Sequence, residues 1–258
     1  AYRRQRQMCI RDRHSVEGVS DVIMDCLNDP DLIIKKKALE VSSYLVNDDN
    51  IVEVIKVMLL QLVPDSNNVD DSLKLEVTTN ILKIASKDNY NNIPNFKWYV
   101  AVLKDILNLT LLPVAPGSSA PVSTTASKEI ATHIGNEIRV LATKVPSIRP
   151  VLLEKIVVEV VLDENVIAFC PFILKDVYWV LGEYIDEFQT GVDDDDEVEV
   201  ENKELVVNLD KKLCIFNTLV NHNIDKKLGL GTSGNLKISS MLLTLQEPQV
   251  LSVMIQAL

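Results

Sequence analysis

Glycine, histidine and basic residues are all in short supply in this chain of 258 residues. The sequence has 8 glycines, 10 prolines and 3 histidines. So few glycines argue against a sheet-rich fold with many tight turns. The net charge of −11 argues against nucleic acid as a partner, because few cations are available to neutralise phosphates. Apolar residues make up 47% of the chain, which is enough to exclude wholesale disorder.

Cysteine is also sparse, and its pattern is uninformative about chemistry. The four cysteines form no CxxC pair and share no repeating spacing: Cys9, Cys26, Cys170 and Cys214. The last three lie among apolar residues, which predicts buried, reduced thiols in a cytosolic protein rather than a disulfide or metal site.

Sequence motifs for catalysis and metal binding are lacking as well. The histidines His14, His133 and His222 belong to no paired zinc-binding pattern, and no GxSxG or HExxH spacing occurs. The turn GLGTSG at 229–234 is not a phosphate-binding loop, since no lysine followed by serine or threonine closes it. We therefore predict no catalytic, cofactor-binding or metal-binding residues, and a protein that is not an enzyme.

The two ends of the chain differ from the rest. The opening AYRRQRQMCIRDR is rich in arginine, whereas the remainder is acidic and rich in lysine. We predict that residues 1–13 are a foreign segment or a disordered basic arm; an authentic arm would suit an acidic membrane surface. The missing initiator methionine and an apolar stripe running to Leu258 predict a fragment.

No apolar run reaches the roughly 20 residues of a membrane-spanning helix, and no secretory signal is present.

What the chain does contain is a series of amphipathic helices. From Asp31 to Leu62 two of them are joined by a short polar turn, and Asp31 is the expected N-cap. The first is expected to bury one stripe: Ile34, Ala38, Val41 and Leu45. The second is expected to bury another: Ile51, Val54, Ile55, Met58, Leu59 and Leu62. Neither helix can bury its stripe alone, so such pairs must pack in series.

Further helical pairs follow along the chain, starting near residues 70, 127, 172 and 236. Their predicted stripes include Leu73, Val77, Ile81, Leu82 and Ala85; Trp98, Val102, Ile106 and Leu109; Ile130, Ile134, Ile138, Leu141 and Val145; Leu153, Ile156, Val157, Val160 and Val161; Val177, Val180, Leu181, Tyr184 and Phe188; and Leu205, Leu209, Leu213, Phe216 and Val220. The β-branched run IVVEVVL favours a strand by propensity alone, but it continues a helical stripe. Steps of roughly 40–60 residues are near the HEAT and armadillo range.

The predicted fold is therefore all-α, a HEAT/armadillo-like α-solenoid of helical hairpins over residues 14–258. Its loops are expected at 113–126, 189–204 and 222–235. Within the second of these, seven of the nine residues from 193 to 201 are acidic. This run is expected to be a solvated loop, and the alternative is a contact for a basic partner.

Two aromatic clusters are notable, in NFKWYVAVL and DVYWVLGEY. Their side chains are expected to pack between repeats rather than to form a ligand cage. Gly182, in the middle of the second helix, costs about 1 kcal/mol relative to alanine. It therefore predicts the close approach of a neighbouring helix, and the alternative is a glycine tolerated on an exposed face.

Three segments together resemble the adaptins. KKKALEVSSYLVNDDNIVEVIKVML is similar to a repeat of the adaptin trunk, although Ile34 stands where adaptins often have arginine. EVTTNILKIASKDNYNNIPNFKWYVAVLKDIL and DVYWVLGEYIDEF resemble delta-adaptin, the large delta subunit of the third adaptor-protein (AP) coat complex. The matching residues are Ser86, Asn89, Tyr90, Asn95, Phe96, Trp98 and Tyr99, then Trp179, Gly182 and Glu183.

The resemblance implies a scaffold subunit of a heterotetrameric vesicle coat adaptor, in transport from the Golgi or endosome to the lysosome or vacuole. Its implied partners are a medium chain, a small chain and a second large chain. The implied location is cytoplasmic, peripheral on Golgi and endosomal membranes and coated vesicles. The family's cargo and GTPase sites lie mainly in earlier trunk helices, so no residue here is assigned to them. The alternatives are another HEAT-repeat scaffold, such as a transport receptor or phosphatase regulatory subunit, and an all-helical enzyme.

Overall fold

The structure is a computed structural model, and it describes residues 22, 25–63, 70–112, 124–187, 212–216, 219, 238, 241–242, 244–245 and 247–257. Every element of secondary structure in these ranges is helical, which confirms the predicted all-α class. The chain divides into two compact units, residues 1–95 and 96–258. Several predictions lie outside the described residues: the segment 1–13, the loops 189–204 and 222–235, and the acidic run 193–201.

The helices described in the first unit include α1 (Leu32–Leu45), α2 (Ile51–Leu60) and α3 (Asp71–Ser86). Both α1 and α2 pack against α3. The predicted cap of α1 is present, because the backbone N–H of Ile33 donates to the Asp31 carboxylate over 2.8 Å. The predicted stripes of α2 and α3 form the core of this unit, apart from the half-buried Leu59.

The predicted buried face of α1 is only partly right. Ala38 is buried as predicted, but Ile34 and Val41 are 39% and 43% exposed and Leu45 is half-buried. The other buried residues of this helix are Leu39, Ser42 and Ser43. This rotation buries Leu39 completely. The half-buried lysines before it donate to other segments of the unit: Lys35 Nζ to Gln61 Oε1 and Lys36 Nζ to Ser72 Oγ, each over 2.7 Å. The serine hydroxyls donate to carbonyls of their own helix, so their burial leaves no hydroxyl unsatisfied.

The turn after α3 contains three consecutive residues in the left-handed backbone region. The φ angles are 49° for Asp88, 58° for Asn89 and 66° for Tyr90. A left-handed residue other than glycine costs roughly 1–2 kcal/mol, although aspartate and asparagine visit this region more readily. The Tyr90 side chain is almost fully buried. Burial of this ring therefore holds the turn in a conformation that the backbone alone disfavours.

Substituting Asp88→Gly in this turn is expected to raise the free energy of unfolding by about 0.5 kcal/mol, because glycine adopts positive φ without a Cβ clash. The matched control is Asp48→Gly in the turn between α1 and α2, which lies outside the positive-φ set. There glycine mainly increases the conformational entropy of the unfolded chain, so it is expected to lower the free energy of unfolding by about 0.5 kcal/mol. Urea denaturation followed by circular dichroism compares the two variants, and shifts of the same sign would contradict the prediction.

The helices described in the second unit include α4 (Phe96–Thr110), α5 (Thr125–Lys144), α6 (149–162), α7 (Glu164–Phe169), α8 (Leu174–Tyr184) and α9 (Pro248–Ala257). The helix α6 has a π-helical turn, Leu153–Val157, between α-helical segments Arg149–Leu152 and Val158–Leu162. The run IVVEVVL is thus helical, as predicted. Helix α5 packs against α4 and α8, and α8 also packs against α6 and α9.

Helix α5 begins earlier than the sequence predicts. The predicted loop 113–126 includes its first two residues, Thr125 and Ala126. The cause is a capping box at Thr124: Ser127 N–H donates to Thr124 Oγ1 over 3.2 Å, and Thr124 N–H donates to Ser127 Oγ over 3.0 Å. Two otherwise unsatisfied N–H groups are paired in this way, so the helix starts directly after Thr124.

The predicted stripes of α5, α6 and α8 form the core of the second unit, with Val145 and Tyr184 only half-buried. Phe188, the last residue of the predicted α8 stripe, lies outside the described residues. In α4 the buried aromatic is Tyr99, whereas the predicted Trp98 is half-buried.

The predicted stripe through Leu213 and Phe216 is wrong, because these two side chains are 48% and 39% exposed. Ile215 and Leu219 are buried instead. Lys212, three residues before Ile215, is half-buried and pairs with the exposed Asp186 over 2.7 Å.

Among the described residues, one cysteine is buried, one is half-buried and one is exposed. Burial raises the pKa of the Cys170 thiol to about 12, so it stays protonated and unreactive. Cys26 is a half-buried free thiol. The prediction that Cys214 is buried is wrong, because it lies on the exposed side of the same short segment as Leu213.

Gly182 allows α8 and α9 to approach closely, as predicted. A Cβ atom on Gly182 would lie 2.7 Å from the Cα of Ala257. Substituting Gly182→Ala is therefore expected to lower the free energy of unfolding by about 1 kcal/mol, since overpacking of about 2 kcal/mol exceeds the gain in helix propensity of about 1 kcal/mol. Gly135→Ala is the comparison: the nearest atoms to a Cβ there are 3.2–3.3 Å away, on the Asp176 side chain and the Ile173 carbonyl, so a smaller loss is expected. Thermal unfolding measures both, and an equal or larger loss for Gly135→Ala would contradict this explanation.

Candidate protein-binding site

An open groove of about 310 Å³ lies between helices α5 and α8. Its lining comprises four residues of α5 and one of α8: Arg139, Val140, Thr143, Lys144 and Trp179. Trp179 is 36% exposed, although its neighbours Tyr178 and Val180 on α8 are fully buried. The helical spacing of Arg139, Val140 and Thr143 aligns them on one side of α5, next to the Trp179 ring.

Two arginines flank a pair of aromatic side chains beside this groove. The Arg139 guanidinium lies 5.8 Å from the centre of the Trp179 ring. The Trp179 and Tyr184 ring centres are 6.0 Å apart with their planes at 84°, and the Arg149 guanidinium lies 4.1 Å from the Tyr184 ring. We call this set of four residues the Arg–aromatic ladder. Both edge-to-face and cation–π contacts of this kind are attractive, so the ladder ties α5, α6 and α8 together.

Asp176 holds the arginine at one end of the ladder. Its Oδ1 lies 3.2 Å from Arg139 Nη1, and its side chain is only 8% exposed. Burial raises the pKa of this carboxyl above its ordinary value, while Arg139 and Lys175 act in the opposite direction. Because the folded-state pKa is raised, the carboxyl favours the folded state most at low pH. That contribution is lost as the pH rises through the folded-state value.

Arg149 holds the other end. It is the first residue of α6, and its Nε donates to the carbonyl of Ala142 over 2.6 Å. Its Nη1 pairs with Glu187 Oε1 at 2.7 Å. Ala142 lies in the last turn of α5, where carbonyls lack a partner within the helix. One guanidinium thus donates to a carbonyl at a helix end, pairs with an acidic side chain and stacks on an aromatic ring.

Two buried tyrosines of the second unit, Tyr99 and Tyr178, differ in the hydrogen bonding of their hydroxyl groups. The Tyr99 hydroxyl donates to Glu137 Oε1 over 2.9 Å and so joins α4 to α5. The Tyr178 hydroxyl is buried on α8, and no described residue accepts its hydrogen bond. Burial raises its pKa above the ordinary value. Both rings pack in the interior, which agrees with the prediction that the aromatic clusters serve packing; only the edge of Trp179 reaches the groove.

The sequence-predicted residues for chemistry are not brought together. His133 is exposed on α5, as its place on the polar side of the helix predicts, while His14 and His222 lie outside the described residues. Within the described ranges, no cluster of histidine, cysteine, aspartate and glutamate could hold a metal ion. None of the helices in those ranges is long and apolar enough to cross a membrane.

Sequence reasoning missed Arg139 and Arg149, although a signal was present. After residue 13 the chain contains only these two arginines, and lysine supplies every other permanently cationic side chain. Arginine stacks on aromatic rings and forms a planar fork of donors, which lysine does not. The use of the only two arginines at both ends of the ladder shows that these positions depend on the shape of the guanidinium.

The family profile described as "Adaptin N terminal region" matches residues 3–224. Three relatives, each named AP-3 complex subunit delta, come from Eremothecium gossypii, Saccharomyces cerevisiae and Schizosaccharomyces pombe. They are 30%, 25% and 29% identical over 173, 196 and 188 residues, which is 63%, 69% and 69% of this chain. Those alignments cover 18%, 20% and 21% of the relatives, so the chain spans about one fifth of the length of the curated relatives it matches.

A homology model of the full-length AP-3 complex in an intermediate open conformation has the same fold, with a TM-score of 0.54 at 18% identity. The match covers 97% of this chain and 46% of that chain. This likeness confirms the predicted α-solenoid of the adaptin trunk. The profile match begins inside the predicted foreign segment 1–13, whose exclusion stays a prediction. The delta subunits among the relatives confirm the resemblance to delta-adaptin, and the chain belongs to the adaptin N-terminal-region family.

Proposed function

We propose that this chain is a trunk segment of the delta-type large subunit of a vesicle coat adaptor. In this role it is a scaffold for protein transport from the Golgi or endosomes to the lysosome or vacuole. The observation that carries the proposal is the adaptin match over residues 3–224, together with relatives named as AP-3 delta subunits.

The described contacts suit a scaffold that holds other chains. The Tyr99–Glu137 bond joins α4 to α5, and Arg149 joins the end of α5 to the start of α6. These contacts join successive helices through buried polar groups, which fixes their relative positions. The groove on α5 and α8 is open, as expected for a surface that contacts another protein rather than for an enclosed reaction site. We therefore propose binding without substrate turnover.

The proposed partners are the medium and small chains and the second large chain of a heterotetramer. Association with Golgi and endosomal membranes would then occur through the assembled complex, on the cytoplasmic side. The function needs no bound cofactor, since its energy comes from surface burial and complementarity.

Affinity purification of the full-length parent subunit from its own cells tests this function. The expected result is recovery of one medium chain, one small chain and a second large chain in equal amounts with the bait, measured by quantitative mass spectrometry. A matched purification of an unrelated HEAT-repeat protein is the control. Recovery with nuclear import cargo or with a phosphatase core, and without these subunits, would overturn the proposal.

A further inference from the structure

We propose that the outward side of helix α1 binds the same side of a second copy of this chain, with the two helices antiparallel. We call this side, formed by Ile33, Lys37, Glu40 and Tyr44, the α1 outer face. The inference goes beyond the proposed function, which names other chains of a coat as partners but no second copy of this one.

The α1 outer face exposes two large apolar side chains. Ile33 and Tyr44 are each 72% exposed, and Val41 beside them is 43% exposed. Lys83 Nζ lies 5.7 Å from the centre of the Tyr44 ring and so helps to hold the ring in this position. The four residues of the face follow the i, i+4, i+7, i+11 spacing, which puts their side chains on one side of the helix. Because the opposite side of α1 is already buried, this second apolar stripe indicates a binding surface.

The two charged residues at the centre of the face have opposite signs. Lys37 Nζ lies 2.7 Å from Glu40 Oε2, and their side chains are 75% and 57% exposed. The face is therefore neutral, although the whole chain carries a net charge of −11. A neutral face lets two copies of an acidic protein approach without the repulsion that two acidic surfaces would meet.

The order of residues along the face makes it complementary to itself. The pair Ile33 and Tyr44 and the pair Lys37 and Glu40 are both centred midway between positions 38 and 39. A two-fold axis through this midpoint places Ile33 of each copy opposite Tyr44 of the other. It also places Lys37 of each copy opposite Glu40 of the other. A two-fold interface requires such reciprocal contacts, and the antiparallel helices also align their dipoles favourably.

The ion pair within each helix is compatible with this arrangement. An ammonium group has three N–H donors and a carboxylate has about four acceptor positions, so one bond between Lys37 and Glu40 leaves capacity on both. Each lysine would then lie between its own Glu40 and that of the second copy. The alternating charges specify the partner and its orientation, while the apolar side chains at both ends supply the burial.

The size of the face limits the strength of the contact. One side of a helix of 14 residues is smaller than the surface that stable dimers bury, so we expect a dissociation constant on the order of 10–100 μM. Few dimers would therefore form in dilute solution. The contact becomes effective where many copies are held close together, because their effective concentration is higher there.

Charge substitutions at the centre of the face test the proposal, with sedimentation equilibrium of the full chain as the measurement. Lys37→Glu makes both central charges negative and Glu40→Lys makes both positive. Each variant alone is therefore expected to self-associate about tenfold or more weakly than the parent chain. An equimolar mixture of the two is expected to associate at least as strongly as the parent chain, because every opposed pair then has opposite signs.

A general effect of net charge gives a different result. It would weaken self-association in Lys37→Glu and strengthen it in Glu40→Lys, because the chain is acidic. That outcome, a monomeric parent chain at concentrations well above the expected dissociation constant, or a mixture that stays monomeric would overturn the proposal. The matched controls are Lys56→Glu and Glu53→Lys, which make the same changes at the same spacing on the exposed side of α2. Both are expected to associate within about twofold of the parent chain.

Ile33→Ser tests the apolar part of the face. It is expected to weaken self-association about tenfold, because the side chain is lost from both copies in the dimer. Leu60→Ser is the matched control, since Leu60 is an aliphatic residue of α2 that is 64% exposed. Equal weakening by the two substitutions would show that exposed apolar surface in general, rather than the α1 outer face, drives association.

The double variant Lys37→Glu/Glu40→Lys tests the orientation of the helices. Antiparallel pairing predicts that it self-associates like the parent chain but does not pair with the parent chain, since a mixed dimer would oppose lysine to lysine and glutamate to glutamate. Parallel pairing predicts the reverse. Sedimentation of a fluorescently labelled parent chain, with the unlabelled double variant added, measures mixed dimers, and a preference for mixed dimers would overturn the antiparallel arrangement.

The full-length parent subunit, purified with whatever chains accompany it, provides the final comparison. Subunits carrying Lys37→Glu and subunits carrying Glu40→Lys are expected to associate when they are mixed. Association of the present chain but not of the parent subunit would show that another segment covers the α1 outer face, and would overturn the proposal. Recovery of the three coat partners without self-association leaves the coat assignment intact, whereas self-association without those partners removes the coat assignment alone.

Discussion

Substituting Arg149→Ala is expected to lower the free energy of unfolding of the second unit by about 3 kcal/mol. A hydrogen bond to a charged group contributes about 1.5–3 kcal/mol and a cation–π contact about 0.5–2 kcal/mol. The Arg149 side chain makes both, to the Ala142 carbonyl and the Tyr184 ring, and it is only 17% exposed. The pair with Glu187 adds less, because that carboxylate is 41% exposed and screened by solvent. Urea denaturation followed by circular dichroism measures the loss.

Arg149→Lys is the control that separates charge from shape. Lysine keeps the positive charge, but its single ammonium cannot reach a carbonyl and a carboxylate while it also stacks on a ring. It is therefore expected to recover less than half of the loss. The emission of Trp179, read in a Trp98→Phe background because the chain has two tryptophans, is expected to change in both variants since the ladder is continuous. A lysine variant as stable as the parent chain would show that charge alone matters here.

Substituting Tyr99→Phe is expected to lower the free energy of unfolding by about 2 kcal/mol, which urea denaturation also measures. The ring stays in place, but the hydroxyl that donates to Glu137 Oε1 over 2.9 Å is lost. Glu137 is only 7% exposed, so its carboxylate loses a donor in a place where water does not easily replace it. Removal of one partner from a buried, charged hydrogen bond is costly for this reason.

Tyr178→Phe is the same change with the opposite expectation. The Tyr178 hydroxyl is buried without an acceptor among the described residues. Removing an unsatisfied buried hydroxyl is expected to leave stability unchanged or to raise it by up to about 1 kcal/mol. The difference between the two tyrosines thus isolates the hydrogen bond to Glu137 from the general effect of deleting a hydroxyl. Equal losses at both positions would contradict the role assigned to Glu137.

Helix periodicity predicted the helices well where apolar residues define one stripe. The stripe of α2 through Ile51, Ile55 and Met58 is fully buried. In α1 the same reasoning failed, because the helix has apolar residues on more than one side. Its rotation buries Leu39 rather than Ile34 or Val41, and this choice depends on packing against α3, which no local pattern encodes. Small buried residues such as Ser42 also carry little hydrophobic signal.

The candidate site was predictable only in part. The aromatic cluster around Trp179 was evident from the sequence, and its role in packing was predicted. The ladder depends on Arg139 and Arg149, which lie tens of residues earlier in the chain, and the Tyr99–Glu137 bond spans 38 positions. Such pairs arise when helices α4, α5, α6 and α8 come together. The rarity of arginine was the one sequence clue. It indicated that these two positions use a guanidinium group, but it did not indicate which residues they contact.

The π-helical turn Leu153–Val157 marks a place where the chain length can change at little structural cost. Its i→i+5 bonding takes in one residue more than an α-helical turn. Deleting one residue inside this turn would close it to ordinary α-helix and leave the flanking faces in register. Elsewhere in 149–162 a deletion would rotate the following side chains by about 100° and turn Val160 and Val161 away from the core. Single-residue gaps among adaptin sequences are therefore expected to fall at this turn.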